Sequence, residues 1–277
     1  MYWVAIATGL LVLSASTTLM AVVGWLQVSH LRFATYHRFK GLDLPHIGVG
    51  EYLALHLREL FAWITLGWWA LTASLRDGLI RPAEVTGPTV LCVHGFTQNG
   101  SNFWGIRRAL RRAGRPSRAV FLGFPFRRLS GYAPRLESAL DGLEGPVDVV
   151  CHSMGGIILR LALQRRPELA SRIRRIVTLG SPHRGTAAGR GLPIAADVRE
   201  LGRSSAVLAE LPSFAELAPQ AEVTTVAGVR DLVVYPQSSA LLAGSHQVVL
   251  PGVGHGGLLV HRVAVEAVLN ALDAREA

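Results

Sequence analysis

The sequence predicts an α/β fold built on a mostly parallel sheet. Six short apolar runs typical of buried strands alternate with amphipathic helical segments, as a parallel sheet requires. One of these runs turns directly into a helix at Ser153, and the last is followed by a glycine-rich loop around His255. With 277 residues, half of them hydrophobic, the chain can bury one full core.

The predicted strands are rich in aliphatic and β-branched residues. They cover residues 89–93, 119–122, 147–151, 175–179, 223–227 and 247–250. Parallel strands joined by right-handed crossovers bring their carboxyl ends to one edge of the sheet. We expect an active site at this edge.

The strand at 147–151 ends abruptly in the sequence CHSMGG at residues 151–156. A strand that feeds directly into a helix forces the residue at the turn into a strained conformation, and small neighbours permit it. Ser153 occupies this turn, and the following helix directs its positive amino-terminal end at a developing oxyanion. The pattern favours a nucleophilic serine, with a strand-to-helix turn of no catalytic role as the alternative.

The strand at 89–93 leads into a polar loop that begins His94-Gly95-Phe96. Gly95 permits close approach of the backbone to a ligand, so the amide of Phe96 can join the amide of Met154 as an oxyanion donor. His94 precedes the serine, whereas the histidine of such sites follows it. We therefore expect His94 to support the loop.

Two later segments supply a candidate acid and a candidate base. Asp231 lies just past the strand at 223–227, where a carboxylate would fix the tautomer of an imidazole; turn chemistry is the alternative. His255 lies after the last strand, and an ordinary pKa of about 6.5 suits proton transfer at neutral pH. The glycines around His255 are expected to leave its ring free to move. Ser153, Asp231 and His255 are the predicted catalytic residues.

These motifs carry a resemblance to a known family. The sequences CHSMGG at 151–156 and LGSPHRGT at 179–186 resemble those of serine lipases of the α/β-hydrolase superfamily, such as bacterial triacylglycerol lipases and GPI inositol-deacylase-like proteins. The likeness runs from about residue 88 to the C-terminus and implies this fold, the three catalytic residues and the two oxyanion donors. Cys151 stands where the family usually has glycine. No acidic pair matches the calcium site of some of these lipases, and no metal or cofactor is expected.

Residues 3–28 contain no charged residue. They are long enough to cross a bilayer, which takes about 20 apolar residues. A cleaved signal peptide is the alternative, but the apolar span exceeds the roughly 7–15 residues of a signal core. We expect an anchoring transmembrane helix within residues 1–30, a membrane-proximal region at 31–81 and a catalytic domain at 82–277.

Residues 60–75 form a second apolar segment with three tryptophans. The segment is short for a membrane span, and tryptophan favours the membrane interface, so a second span and an interfacial helix both stay open. Basic residues between the two apolar segments should remain cytoplasmic. The catalytic domain would lie outside the cytoplasmic membrane if both segments span, and inside if only the first does.

Residues 186–221 interrupt the alternation of strands and helices and are predicted to form a small helical cap or lid. Five apolar residues of this segment could line an acyl pocket, or could form a packed helical layer. They are Leu201, Val207, Leu208, Leu211 and Phe214.

The net charge of +9 comes mainly from arginine on helical faces, which predicts solvated surfaces. Nucleic-acid binding is not expected, because no recognition motif accompanies the arginines. The chain has two cysteines, Cys92 and Cys151, on predicted neighbouring strands. We expect buried free thiols, with a disulfide outside the cytoplasm as the alternative.

Together these features predict a membrane-anchored serine ester hydrolase of the lipase or esterase type. Its substrate would be a small-molecule or lipid ester, cleaved through an acyl-serine intermediate. An acyltransferase or thioesterase with the same triad is the alternative within enzymes. A catalytically silent membrane scaffold with a hydrolase fold is the alternative from another class.

Overall fold

A computed structural model describes residues 49–72, 87–187 and 196–273 of the chain. The predicted transmembrane helix within residues 1–30 lies outside these ranges. Strands within them form one sheet. They are β1 (Thr89–Val93), β2 (Ser117–Val120), β3 (Val147–His152), β4 (Ile173–Leu179), β5 (Glu222–Gly228) and β6 (His246–Leu250).

These strands are all parallel and lie in the order β2-β1-β3-β4-β5-β6. The prediction of a mostly parallel sheet is confirmed for the described part of the chain. The chain leaves β1 toward one side of the sheet and β3 toward the other, so the carboxyl ends of these two neighbours border the crevice where α/β proteins bind ligands. β2 ends at Val120, earlier than expected, because its partner β1 ends at Val93; beyond this point the N–H of Leu122 donates to His94.

Helices cover both faces of the sheet. They are α1 (Val49–Leu71), α2 (Trp104–Arg112), α3 (Ala133–Asp141), α4 (Met154–Arg165), α5 (Ala196–Glu200), α6 (Ala206–Ala209), α7 (Phe214–Leu217), α8 (Gly257–Val260) and α9 (Arg262–Asp273). Short 3-10 turns complete the described elements, at Gly100–Phe103, Leu129–Gly131, Pro167–Arg172 and Gln237–Ala240.

Two apolar cores fill the space between the sheet and its helices. On one face, β3 packs against α3, α4 and the cap helices α6 and α7. On the other face, β1 and β5 pack against α1, α2, α8 and α9. All six residues of β3 are buried, as expected for a central parallel strand covered on both sides.

The two cysteines lie on opposite faces of the sheet. Cys92 pairs in register with Val150, and Cys151 pairs with Val93. Because side chains of directly paired residues share a face and successive residues alternate, each sulfur points into a different core. Both thiols are free and buried, as expected.

The cap contains α5, α6 and α7, although residues 188–195 lie outside the described ranges. Four of the five apolar residues that the sequence analysis singled out are buried in the core beside α4, and Val207 packs partly against it. They are Leu201, Leu208, Leu211 and Phe214. Of the two alternatives, the structure therefore has the packed helical layer.

Helix α1 spans 23 residues and packs one face against the core on the β1 and β5 side of the sheet. Leu55, Ala62 and Leu66 are buried on this face, together with Glu59. The opposite face carries exposed apolar residues, which we call the apolar stripe. They are Leu53, Leu57, Phe61, Ile64, Trp68 and Leu71.

For residues 60–75, the sequence left two alternatives open: a second membrane span and an interfacial helix. Within residues 49–72, 87–187 and 196–273, no helix combines the length and the apolar character that a membrane crossing needs. This set includes α1, which contains residues 60–71. Residues 73–75 of the segment lie outside the described ranges.

Candidate active site

Ser153 lies at the strained turn between β3 and α4. Its φ of 54° and ψ of −127° fall in a region that residues with a Cβ rarely adopt. Such a conformation costs on the order of 1–3 kcal/mol and persists only where surrounding contacts impose it. Here the Ser153 N–H donates to the carbonyl of Leu179 in β4 at 2.9 Å. The turn expected from the sequence is present.

Two glycines allow the first turn of α4 to lie close to its neighbours. A Cβ at Gly155 would collide with the carbonyl oxygen of Val93 at the end of β1, and one at Gly156 would collide with the Ser181 side chain. The side chain of Cys151 instead points into the core beneath α4, where its sulfur is buried. The departure from glycine at position 151 is thus accommodated by the core.

The loop after β1 lies against the serine turn. A Cβ at Gly95 would lie only 2.7 Å from the Cβ of Ser153. Gln98 links the two segments, because its Oε1 accepts the Gly95 N–H at 2.9 Å and lies 2.9 Å from Nδ1 of His152. This contact brings the loop that carries Phe96 against the turn.

The Met154 N–H belongs to the first residue of α4, so it has no acceptor within its own helix. The Phe96 amide lies in the neighbouring loop, directly after Gly95. The two backbone donors named from the sequence thus come from the two segments that enclose Ser153. Their role as an oxyanion hole stays a prediction.

His94 supports the loop after β1, as its position suggested. Its Nε2 accepts the N–H of Leu122 at 3.0 Å, so the ring proton resides on Nδ1, which donates to the carbonyl of Gly95 at 2.8 Å. Burial lowers the pKa of His94, which favours this neutral ring. With both nitrogens engaged, His94 is unsuited to act as a base.

Asp231 and His255 lie in direct contact. Oδ2 of Asp231 is 2.7 Å from Nδ1 of His255, and both side chains are buried. Oδ1 of Asp231 accepts the N–H groups of Val233 and Val234 at 2.8 and 2.7 Å, which fixes the orientation of the carboxylate. The carboxylate therefore holds the proton on Nδ1 and leaves Nε2 as the nitrogen suited to accept one.

The environment of His255 favours its protonated form. Burial by itself lowers the pKa of His255, but the charge of Asp231, the hydrogen bond to it and the charge of Glu59 together outweigh burial. The pKa of His255 is therefore raised above its ordinary value.

His152 connects the His255 loop to the serine turn. Its Nε2 lies 3.1 Å from the carbonyl oxygen of His255, and the centroids of the two rings are 4.7 Å apart. Because His152 directly precedes Ser153, this contact brings the loop beside the turn. The sequence analysis gave His152 no role; its position next to the serine was the available signal.

Two residues of α1 at the site were also missed. The carboxylate of Glu59 accepts the N–H groups of Gly256 and Gly257, each at 3.0 Å. The indole of Trp63 stacks on the His255 ring, with centroids 6.4 Å apart and planes inclined by 28°. An acidic residue at position 59, followed four residues later by tryptophan at the start of an apolar run, was the available signal.

The glycines around His255 allow close packing rather than movement of its ring. A Cβ at Gly254 would collide with the Glu59 carboxyl group, and one at Gly256 would lie 3.2 Å from the Trp63 indole. His255 itself is 4% exposed. The expectation that these glycines leave the ring free to move is not supported, because α1 fills the space beside them.

Within the described ranges, no three His, Cys, Asp or Glu side chains cluster in a way that could hold a metal ion.

The strand order and the Ser153 turn define an α/β-hydrolase fold. The chain belongs to the family described as a domain of unknown function (DUF7379), whose model matches residues 63–252. That description names no activity. No curated protein matches the chain in sequence.

Solved structures similar to this chain include lipases and an esterase. The mature lipase BlEst2 of Bacillus licheniformis has a TM-score of 0.57 and 16% identity, with 70% of this chain and 94% of that chain covered. Lipase B of Aspergillus fumigatus has a TM-score of 0.57 and 18% identity, with 70% of this chain and 55% of that chain covered. This chain therefore spans about half of the length of that lipase. The metagenomic carboxyl esterase MGS0156 has a TM-score of 0.54 and 17% identity, with 63% of this chain and 67% of that chain covered. At these identities the likeness establishes the fold.

Proposed function

We propose that the protein is a serine carboxylic-ester hydrolase of the lipase or esterase type. The contact of 2.7 Å between Asp231 and His255, beside the strained turn at Ser153, carries this proposal. Nε2 of His255 takes the proton of the Ser153 hydroxyl as Oγ attacks the ester carbonyl, and the amides of Phe96 and Met154 stabilise the oxyanion. His255 then protonates the leaving alcohol. A water molecule, activated by the same imidazole, hydrolyses the acyl-serine and releases the acid.

The proposed substrate class is a small-molecule or lipid ester. The similar proteins of solved structure are named as two lipases and a carboxyl esterase. These names support an ester rather than an amide as the substrate. Acyl-chain length and headgroup vary widely among enzymes that share a fold and a triad. A panel of p-nitrophenyl esters of increasing chain length, with and without micelles, would define the preference.

Labelling with a fluorophosphonate probe tests the proposed activity. We expect the full-length protein in detergent to be labelled at Ser153, as located by peptide mass spectrometry, and to hydrolyse short p-nitrophenyl esters. A folded protein that is not labelled would favour the silent scaffold. An acyltransferase or thioesterase would instead show faster turnover with an added alcohol or amine acceptor, or with a thioester substrate.

The ester hydrolysis rate is expected to fall at acid pH with a midpoint above the ordinary histidine pKa. A general base acts only when neutral, and the raised pKa of His255 keeps it protonated at pH values where an exposed imidazole is already neutral. We therefore expect kcat/KM to rise with pH through the pKa of His255 and to level off above it. Initial rates between about pH 5 and pH 9 measure this limb; a midpoint below about 6.5 would contradict the prediction.

We further propose that the protein is membrane-anchored, with α1 lying on the lipid surface. The charge-free residues 3–28 support an anchor. The apolar stripe supports contact of α1 with lipid, because its residues are between 47% and 70% exposed and residues 60–72 contain no charge. Trp68 within the stripe suits the interfacial region of a bilayer.

Fluorescence quenching tests the lipid contact. In vesicles of brominated phosphatidylcholine, we expect quenching of tryptophan emission that is reduced in Trp68→Phe. The full-length protein should also remain with membranes after washing in high salt and in alkaline carbonate. Equal quenching in both proteins would contradict contact through the stripe. A stripe covered by a second copy would instead give a dimer in light scattering and no quenching of Trp68.

A further inference from the structure

We propose that α1 belongs to the catalytic machinery, with Glu59 and Trp63 as positioning residues that hold the loop of His255. This inference rests on the proposed ester hydrolysis and extends it to a helix outside the strands and loops that carry the triad. Glu59 also precedes the matched family range of residues 63–252. The site would thus depend on a helix that the membrane-proximal part of the chain provides.

The carboxylate of Glu59 accepts two hydrogen bonds from the backbone of the His255 loop. Oε2 accepts the N–H of Gly256 and Oε1 accepts the N–H of Gly257, both at 3.0 Å. These are the two residues that follow His255, so the two bonds fix the path of the chain as it leaves the imidazole. Glu59 is only 5% exposed, so water competes little for these donors.

Trp63 restrains the ring itself. It lies four residues after Glu59, one turn later on the same face of α1. Its indole lies beside the imidazole of His255, with ring centroids 6.4 Å apart, and a Cβ at Gly256 would lie only 3.2 Å from it. Trp63 therefore limits how far the ring can move away from Asp231 on this side.

The position of α1 is fixed by the core. Leu55, Ala62 and Leu66 are 6%, 0% and 2% exposed, and they flank Glu59 along the inner face of the helix. A helix anchored at three points holds Glu59 and Trp63 with little freedom. The preorganisation of the loop thus depends on the packing of α1.

Glu59 also acts on the base through its charge. Among the described residues, the titratable groups that face His255 are Asp231 after β5, His152 at the end of β3 and Glu59 on α1. Burial raises the pKa of Glu59, while the N–H groups of Gly257 and Gly256 oppose this rise. The charge of Glu59 raises the pKa of His255. Removal of the Glu59 charge should therefore shift the pH profile of the enzyme. Loss of a purely structural contact would leave this profile unchanged.

The variant Glu59→Gln tests the proposal. Glutamine keeps the shape but offers one acceptor and one donor, so one of the two glycine N–H groups faces an N–H instead of an oxygen. We expect kcat to fall between about 10- and 100-fold, per active site counted by fluorophosphonate titration. The acid limb of kcat/KM should also move to lower pH, because a negative charge near His255 is removed.

Glu137→Gln is the matched control. Glu137 is also a buried helical glutamate, but it pairs with Arg165 at the end of α4 opposite to Ser153. We expect Glu137→Gln to keep the kcat and the pH profile of the wild type. A folded Glu59→Gln protein with the kcat and pH profile of the wild type would overturn the inference.

A second variant covers the case in which Glu59→Gln does not fold. Trp63→Phe keeps Glu59 and an aromatic ring, but the smaller ring reduces the contact with His255. We expect a several-fold loss of kcat per titrated site with no movement of the acid limb, and an unchanged kcat would overturn the role of Trp63 and of α1. A wild-type protein that neither hydrolyses esters nor reacts with the probe would refute the proposed function itself. Active wild-type protein with unaffected variants would refute only this inference.

Discussion

Replacement of Ser153 by alanine is expected to lower the hydrolysis of short p-nitrophenyl esters by at least about 10,000-fold. Without Oγ no acyl-serine can form, and the remaining rate comes from water attack aided by the oxyanion donors and the base. The measurement is kcat for the purified full-length variant, together with the loss of fluorophosphonate labelling. Alanine keeps the Cβ at this turn, so we expect the melting temperature to change little.

Ser245→Ala is a suitable control for this variant. Ser245 precedes β6, at the edge of the sheet opposite to the site, and its Oγ contacts the Thr225 side chain and the Leu242 carbonyl at 2.8 Å each. We expect this variant to lose some stability and to keep its turnover. Substantial hydrolysis by Ser153→Ala, above that of a mock purification, would remove Ser153 from the mechanism.

Replacement of Asp231 by asparagine is expected to lower kcat by about 1,000- to 10,000-fold. The side-chain oxygen of asparagine would remain with the N–H groups of Val233 and Val234, so its NH2 group would face Nδ1 of His255. The imidazole would then carry its proton on Nε2. In this tautomer it cannot accept the proton of Ser153, although the geometry is nearly unchanged.

Asp148→Asn makes the same exchange at another buried aspartate. Asp148 lies in β3 and interacts with Arg174 and Arg115 rather than with a histidine. We expect Asp148→Asn to lower the melting temperature while turnover per folded molecule stays within a few-fold of the wild type. If Asp231→Asn behaves in the same way, the acid of the triad must be another residue.

Local patterns in the sequence were sufficient to predict the architecture around Ser153. The parallel sheet follows from strand-like runs that alternate with helices, and the strained turn follows from a buried strand that ends in CHSMGG. The neighbourhood of Asp231 and His255 was expected because both residues follow parallel strands, whose carboxyl ends share one edge. Their assignment as acid and base stays a prediction until the variants are measured.

Long-range packing explains what the sequence did not disclose. Glu59 and Gly257 are separated by 198 positions, and no local periodicity reports that they meet. The glycines beside His255 were interpreted as a source of freedom because the helix that fills the space next to them had been considered only as a membrane element. The packed cap was likewise one of two alternatives, since apolar helical residues suit a core and a pocket equally well.

The placement of the two cysteines bears on where the protein can work. Because Cys92 and Cys151 project from opposite sides of the sheet, no rotation of their side chains could join them. Burial raises the pKa of Cys92 to about 12 and that of Cys151 well above its ordinary value, so neither supplies a reactive thiolate. The stability of the fold therefore does not depend on a disulfide between them, in an oxidising or in a reducing environment. Either side of a membrane offers it an equally suitable redox environment.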